Sequence, residues 1–225
     1  MGKQGVTSAS GLYRDIARVA VPRRRIAAGV RRLASRIADA YPDGEVTILA
    51  VLTGSLIFLA DLMRRLPLRM RVEVVSVVSY PGTAVRSRGA KVLGPVPASL
   101  RGRNVLIVDD ILDSGRTLAK LLSAVAAQRP AAVRTCVLLR KRRPDLPRRP
   151  TADFVGFDVP DEFVVGYGLD FDNLYRNLPD ICVLKRHARR GVPWLRRLQP
   201  RTGGNEGGPR GCKRRSYDTL HRGRE

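Results

Sequence analysis

The sequence predicts an α/β fold: a mostly parallel sheet flanked by helices, with a smaller subdomain toward the carboxy terminus. Three observations carry this. Residues 46–52 (VTILAVL) and 105–108 (VLIV) are apolar runs of strand length without regular polar alternation, as expected of strands covered on both faces. Segments with apolar residues three to four apart lie between such runs, so strands and helices alternate along the chain. And 225 residues with 44% hydrophobic content can bury one sizeable core.

Taken in order, Pro22 suits the first turn of a helix, where its missing N–H is not needed, and Ile26, Val30, Leu33, Ile37 and Tyr41 then recur at helical spacing. The Pro42-Asp43-Gly44 turn ends that helix, and residues 46–52 follow as a buried strand. Thr53-Gly54-Ser55 bends the chain into a helical pattern over 56–66, and 72–78 is a β-branched strand. Residues 79–97 (SYPGTAVRSRGAKVLGPVP) hold glycines, prolines and few large apolar groups, which predicts a long loop able to serve as a lid. A strand at 105–108, a helix at 118–127 and a strand at 133–139 complete the repeated β-α-β pattern. The short pieces FVGFDV, FVVGYG and ICVL, within 153–184, read as an antiparallel annex or a last sheet edge.

Composition narrows the function. No apolar span reaches 18 residues and aromatic content is 5%, so neither a membrane helix nor an aromatic single-strand-binding face is expected. MGKQGVTSAS has no apolar targeting core, and Cys136, Cys182 and Cys212 are too widely spaced for a zinc site; cytoplasmic location and free thiols are the expectation. His187 and His221 lack metal-ligand spacing. The formal charge of +22 invites a polyanionic partner. From Lys185 onward, 13 Lys and Arg stand against 3 acids with no apolar period, which predicts a disordered basic tail. The expected division is therefore an extension over 1–14, a domain over 15–185 and a tail over 186–225. The tail's charge is compatible with nucleic-acid binding but does not require it.

The chemistry concentrates in VLIVDDILDSGRTL, residues 105–118. A loop passing from a buried strand into a helix offers unpaired main-chain N–H groups and the positive end of the helix dipole, which together favour phosphate oxygens. Gly115 lets the backbone approach a ligand, the Ser114 and Thr117 hydroxyls can donate, and Arg116 adds charge. Phosphate alone gives no reason for acids. Asp109 and Asp110 make sense if the ligand also carries a sugar diol or a hard cation such as magnesium. Asp113 could equally cap the helix. The GxGxxG and GxxxxGK[ST] nucleotide cradles are both absent.

The stretch VDDILDSGRT resembles the phosphoribosyl-pyrophosphate signature of the type I phosphoribosyltransferases. Over about residues 15–185 the chain looks most like the hypoxanthine-guanine phosphoribosyltransferases: VLTGSLIFLADLMRRL resembles their pyrophosphate loop, Ser79-Tyr80 stands where their lid begins, and DFVGFDVPDEFVVGYGLDFDNLYRNLPDICVL resembles their base-binding region. The resemblance implies a five-stranded parallel core with a hood, and a reaction joining 5-phosphoribosyl 1-pyrophosphate (PRPP) to a 6-oxopurine with magnesium. It implies that Asp109 and Asp110 hold the ribose hydroxyls and metal, and that residues 113–117 grip the 5′-phosphate. Asp113 would be the acid-base group at the purine N7. Lys141 would meet the purine O6, Phe163 would stack on the base, and Val164 would bond its edge through the backbone. Thr53, Gly54 and Arg176 would face pyrophosphate, with Asp170 on a second magnesium. It further implies a dimer or tetramer, and a cis peptide at Leu52-Thr53.

For several of these residues the sequence leaves a structural alternative. Lys141 lies in the basic run RKRR and could belong to a solvated turn, Phe163 could be merely buried, and Asp170 and Arg176 could be surface ion-pair partners. One departure stands out: Thr53 occupies a place where many relatives carry Lys, removing a cation near the leaving group. A second reading is a pyrimidine-operon type RNA-binding regulator with uracil phosphoribosyltransferase activity, which the basic charge suits; Asp113, where that group typically has Tyr, speaks against it. The ranking of hypoxanthine, guanine and xanthine is not written in the sequence.

Overall fold

The computed structural model describes residues 11, 13–79, 90–186 and 188. The chain divides into a unit spanning Met1–Gly191 and a second spanning Val192–Glu225; the second, with most of the expected basic tail and Cys212, lies outside the described residues. Described elements are β1 (Ile16–Val21), α1 (Arg23–Asp39), β2 (Glu45–Leu52), α2 (Leu56–Met63), β3 (Arg69–Ser79), β4 (Ala90–Leu93), β5 (Asn104–Leu112), α3 (Arg116–Ala126), β6 (Ala132–Lys141), β7 (Phe154–Val159), β8 (Val164–Val165) and β9 (Ile181–Leu184).

Six strands form the main sheet in the order β4-β3-β2-β5-β6-β7. β3 through β7 in that order are parallel, and β4 is antiparallel at one edge. Strand side chains alternate between faces, so β2 sends Ile48 and Ala50 to one side and Leu49 and Val51 to the other. Ile26, Val30, Leu33 and Ile37 of α1, with Phe58 and Leu62 of α2, cover the first face; Leu118, Leu121 and Val125 of α3 cover the second. Burial on both faces explains the unbroken apolar runs. No helix among the described residues is long and apolar enough to cross a membrane.

A second, three-stranded antiparallel sheet, β1-β9-β8, makes the hood around Ile16, Val165, Tyr175, Leu178, Cys182 and Leu184. The region expected as an antiparallel annex or a last sheet edge is both, split between the two sheets. FVGFDV is a parallel edge strand of the main sheet, because Asp153 accepts bonds from the Thr135 N–H and hydroxyl (both 2.7 Å) and so starts β7 beside β6. Only the later pieces enter the hood, where they meet the amino-terminal β1. The loop expected over 79–97 is also corrected in part: Ala90–Leu93 pairs with Ser76–Ser79, while residues 80–89 lie outside the described ones.

A carboxylate ties the hood to the start of α1. α1 opens on three arginines and has no acid in its first turn, an unfavourable match to its dipole. Asp180, just before β9, supplies the missing charge: its Oδ1 accepts the Arg23 N–H at 2.7 Å and its Oδ2 accepts the Tyr13 hydroxyl at 2.6 Å. That bond, with burial, pushes the Tyr13 phenol up to about 12. Asp180→Ala should therefore cost about 1–2 kcal/mol, the usual worth of a helix cap, seen as a fall in Tm of roughly 2–8 °C; an unchanged Tm would show that the cap contributes nothing.

Candidate active site

Loops from three neighbouring parallel strands and from the hood meet at the carboxyl edge of the sheet, where ligands of open α/β sheets bind. β5 supplies the acids. Its ladder to β6 runs straight through them, pairing Asp109 with Val137, Ile111 with Leu139 and Leu112 with Arg140. The bend expected after residue 108 therefore comes after Leu112, because main-chain ladder bonds do not depend on the side chain attached. Asp109 is 8% exposed, and the Asp110 N–H donates to its Oδ1 at 2.9 Å. Burial, then the neighbouring charge of Asp110, holds the Asp109 carboxyl well above the usual range. Burial also raises Asp110, opposed by hydrogen bonds and by the positive charge of Arg176.

The loop after β2 lies against these acids. The Leu52-Thr53 peptide is cis, and the buried Ser55 hydroxyl donates to the Val51 carbonyl at 2.5 Å. Thr53 is exposed. Gly54 has no Cβ where the Asp110 carboxylate passes; a methyl group there would overlap it. From the hood, Gly168 comes down on the Gly54 carbonyl with φ +101°, a conformation and an approach that only glycine accepts. Arg176 steadies that segment: it donates to the Gly168 carbonyl at 2.7 Å and to Asn173 Oδ1 at 3.1 Å, and pairs with Asp170 at 2.8 Å. Tyr167 reaches α2, its hydroxyl 2.6 Å from Asp61.

At the ends of β5 and β6, Asp113 and Lys141 face each other, with Nζ 3.0 Å from Oδ2. Lys141 is 8% exposed, so it does not belong to a solvated turn. Asp161 pairs with it at 3.2 Å, and Arg143 pairs with Asp113 at 2.8 Å, Asp145 at 2.7 Å and Asp161 at 3.4 Å. Asp161 and Arg143 were not singled out from sequence; the signal present was Asp161's place in the VPDEF segment of the base-binding match. Gly115, at φ +77°, turns the chain into α3, and residues 145–150 fold back so that Pro150 lies where a Cβ would stand. Between them is a cleft of ≈ 400 Å³ lined by Ser114, Gly115, Arg116, Arg148 and Arg149 among others. Phe163 stands edge-on to Phe171, ring centroids 5.5 Å apart. Val164 is buried in β8.

The oxygen donors suit a hard cation only in part. No group of three or more metal-ligating side chains forms among the described residues. Asp170 already accepts the Asn173 N–H at 2.7 Å besides its pair with Arg176. Asp109 and Asp110 can provide one or two carboxylates, the number magnesium usually takes from protein when phosphates and water complete its shell. The residues therefore fit magnesium brought with a phosphorylated substrate.

The phosphoribosyl transferase domain family matches residues 22–172. The chain belongs to this family. Among its relatives is the hypoxanthine-guanine phosphoribosyltransferase of Bacillus subtilis, 38% identical over 174 residues that cover 76% of this chain and 94% of the relative. The Mycobacterium avium hypoxanthine-guanine phosphoribosyltransferase is 39% identical over 178 residues, 76% of this chain and 86% of that protein. A solved structure of the Trypanosoma cruzi hypoxanthine phosphoribosyltransferase, in complex with the product IMP, is similar at a TM-score of 0.68 and 36% identity, covering 78% of this chain and 97% of that one. The phosphoribosyltransferase fold expected from the motif, parallel sheet, flanking helices and hood, is the fold observed.

The raised Asp109 carboxyl makes a stability prediction with a definite sign. A folded-state value above the unfolded one means that the native state binds protons more readily, so the stability gained by protonation is lost as pH rises through the folded value. At neutral pH the buried charge is a cost. Asp109→Asn should raise the Tm of the ligand-free protein by roughly 2–4 °C, or about 1 kcal/mol, and the gain should shrink as pH falls toward the ordinary aspartate value of about 3.9. Melting curves showing a loss at neutral pH would contradict this account of the pair.

Proposed function

We propose that this protein is a purine salvage enzyme, joining the ribosyl 5′-phosphate of PRPP to hypoxanthine, and to guanine, with release of pyrophosphate. The observation that carries this is the acceptor and donor 3.0 Å apart in Asp113 and Lys141. A 6-oxopurine presents N7–H beside O6, a donor next to an acceptor. Asp113 can hold and share the N7 proton while Lys141 donates to O6. Adenine offers an amino group where Lys141 would donate, so two donors meet without an acceptor between them, which disfavours binding. Phe163 stacks on the ring and the Val164 backbone meets its edge. The relatives named as hypoxanthine enzymes support this reading and disfavour a pyrimidine-operon regulator.

On the sugar side, the amides and hydroxyls of Asp113, Ser114, Gly115, Arg116 and Thr117 take the 5′-phosphate, and Asp109 and Asp110 take the ribose hydroxyls. When bound, magnesium would neutralise phosphate charge and help the pyrophosphate leave. Asp109 and Asp110 would hold it, with Asp170 toward a second ion. The two acids also favour positive charge developing on the ribose, while Arg176, with Thr53 and Gly54, faces the leaving group. Self-association into a dimer or tetramer belongs to this proposal; exposed Val72 and Val74 on β3 and Leu56 on α2 offer apolar surface for it. Nucleic-acid binding by the tail is not required.

The test is incubation with PRPP, magnesium and each of hypoxanthine, guanine, xanthine, adenine and uracil. Nucleotide is expected from hypoxanthine and guanine, and turnover of uracil alone would overturn the assignment. Asp113→Asn should lower kcat by about 10² or more, the usual worth of an acid-base group. Thr53→Lys should restore a cation beside pyrophosphate and tighten PRPP about two- to fivefold in KM, the worth of one exposed charge pair; an unchanged KM would place Thr53 away from the leaving group.

A further inference from the structure

The β5–β6 ladder ends at Leu112↔Arg140. In parallel register the next rung would join Asp113 to Lys141, the two residues on which purine recognition is proposed to rest. Lys141 is engaged on its other side, paired with Val159 of β7, while the chain at Asp113 leaves the sheet to form the turn into α3. The gap between them is spanned by a side chain. Arg149 donates from Nη1 to the Asp113 carbonyl at 2.5 Å and from Nη2 to the Lys141 carbonyl. A guanidinium is planar, permanently charged and presents donors in a fixed fork, so it sets the separation of two carbonyls as a flexible ammonium cannot. Arg149 is itself held in place: its Cβ and the Pro150 ring pack over Gly115, the residue whose left-handed turn opens the phosphate loop.

We infer that Arg149 is a positioning residue that replaces the missing rung of the sheet and fixes the spacing of Asp113 and Lys141. This rests on the purine phosphoribosyltransferase reading above and deepens it, since the same guanidinium ties the phosphate loop to the strand that meets the base. Because its partners are main-chain carbonyls, the guanidinium occupies neither the Asp113 carboxylate nor the Lys141 ammonium, which keep their pairing with each other, Arg143 and Asp161. Loss of the fork lets the two drift apart, which weakens purine binding, slows the proton transfer and blunts the choice between a 6-oxo and a 6-amino ring.

The decisive variant is Arg149→Lys, which keeps the charge and most of the stem but cannot bridge two carbonyls. The expected result is a fall of tenfold or more in kcat/KM for hypoxanthine, with KM for the purine raised and a hypoxanthine-to-adenine preference narrowed severalfold, while Tm stays within a few degrees of the parent. A general loss of folding would lower both purines alike and leave their ratio unchanged. Arg149→Ala assayed with millimolar guanidinium chloride is the second arm, and partial recovery of the lost activity is expected. If Arg149→Lys matches the parent within twofold, or loses activity on both purines in proportion, the positioning role is wrong. If the parent itself forms no nucleotide from any purine, it is the proposed function that fails, whatever Arg149 does.

Discussion

Asp109 sits at 8% exposure in the central strand of a sheet covered on both faces, with a second carboxylate next to it in the chain. Ionising a carboxyl there is costly, because burial removes its water and the neighbour repels it. The position is tolerable only if the strand cannot yield, and β5 cannot: it is hydrogen-bonded to β2 through residues 105–108 and to β6 through residue 112. The remainder of the site is arranged around this strand and around Asp110. Gly54 gives the Asp110 carboxylate room, Arg176 contributes positive potential, and Lys141, Arg143 and Arg149 gather where the strand ends.

That gathering differs from the basicity of the chain as a whole. Arg23, Arg24, Arg25, Arg31, Arg32 and Arg36 are exposed along α1, and their charge contributes to a field that draws polyanions from a distance. Around Asp113 and Lys141 the cations are matched instead. Lys141 lies between Asp113 and Asp161, and Arg143 among Asp113, Asp145 and Asp161. Lys141 is the buried member of this network, and a buried ammonium is tolerated only with such partners; the matching also aims each group, which an excess of unpaired lysines would not. The diffuse excess concerns encounter, and the balanced network concerns orientation.

These two uses of charge explain what could be read before the fold was known. The parallel core was legible in residues 46–52 and 105–108, because strands buried on both faces exclude polar side chains. The acids and DSGRT were legible as a site because so specific a run of residue types follows a buried strand, and they do lie at the carboxyl edge of the sheet. The extension of β5 through Asp109 and Asp110 was not, since side chains say little about where ladder bonds stop. Nor was β1: IARVAV buries only Ile16 and Val21, and its partner β9 lies some 160 residues away in sequence. Arg143 and Arg149 were hidden for another reason. In RKRRPDLPRRP every cation looks equally solvated, and only the path of 142–150 over Gly115 separates those that turn inward from those that do not.

The same path bears on how the parts can move. Asp110 fills the space beside Gly54, Gly54 presents its carbonyl to Gly168, and Arg176 holds Gly168 by its carbonyl oxygen. Tyr167, the residue before, is bonded to Asp61 of α2, the helix that begins where the 52–55 loop ends. Steric contacts of this kind transmit displacement without needing much energy in any one of them, since a close-packed interior has little free volume to absorb a shift. A phosphate entering between the 52–55 loop and Arg176 would therefore press on the hood and on the Asp110 carboxylate together. The 52–55 loop and Arg176 are in this way mechanically continuous with the Asp109–Asp110 pair, and β5 is the fixed member against which both are set.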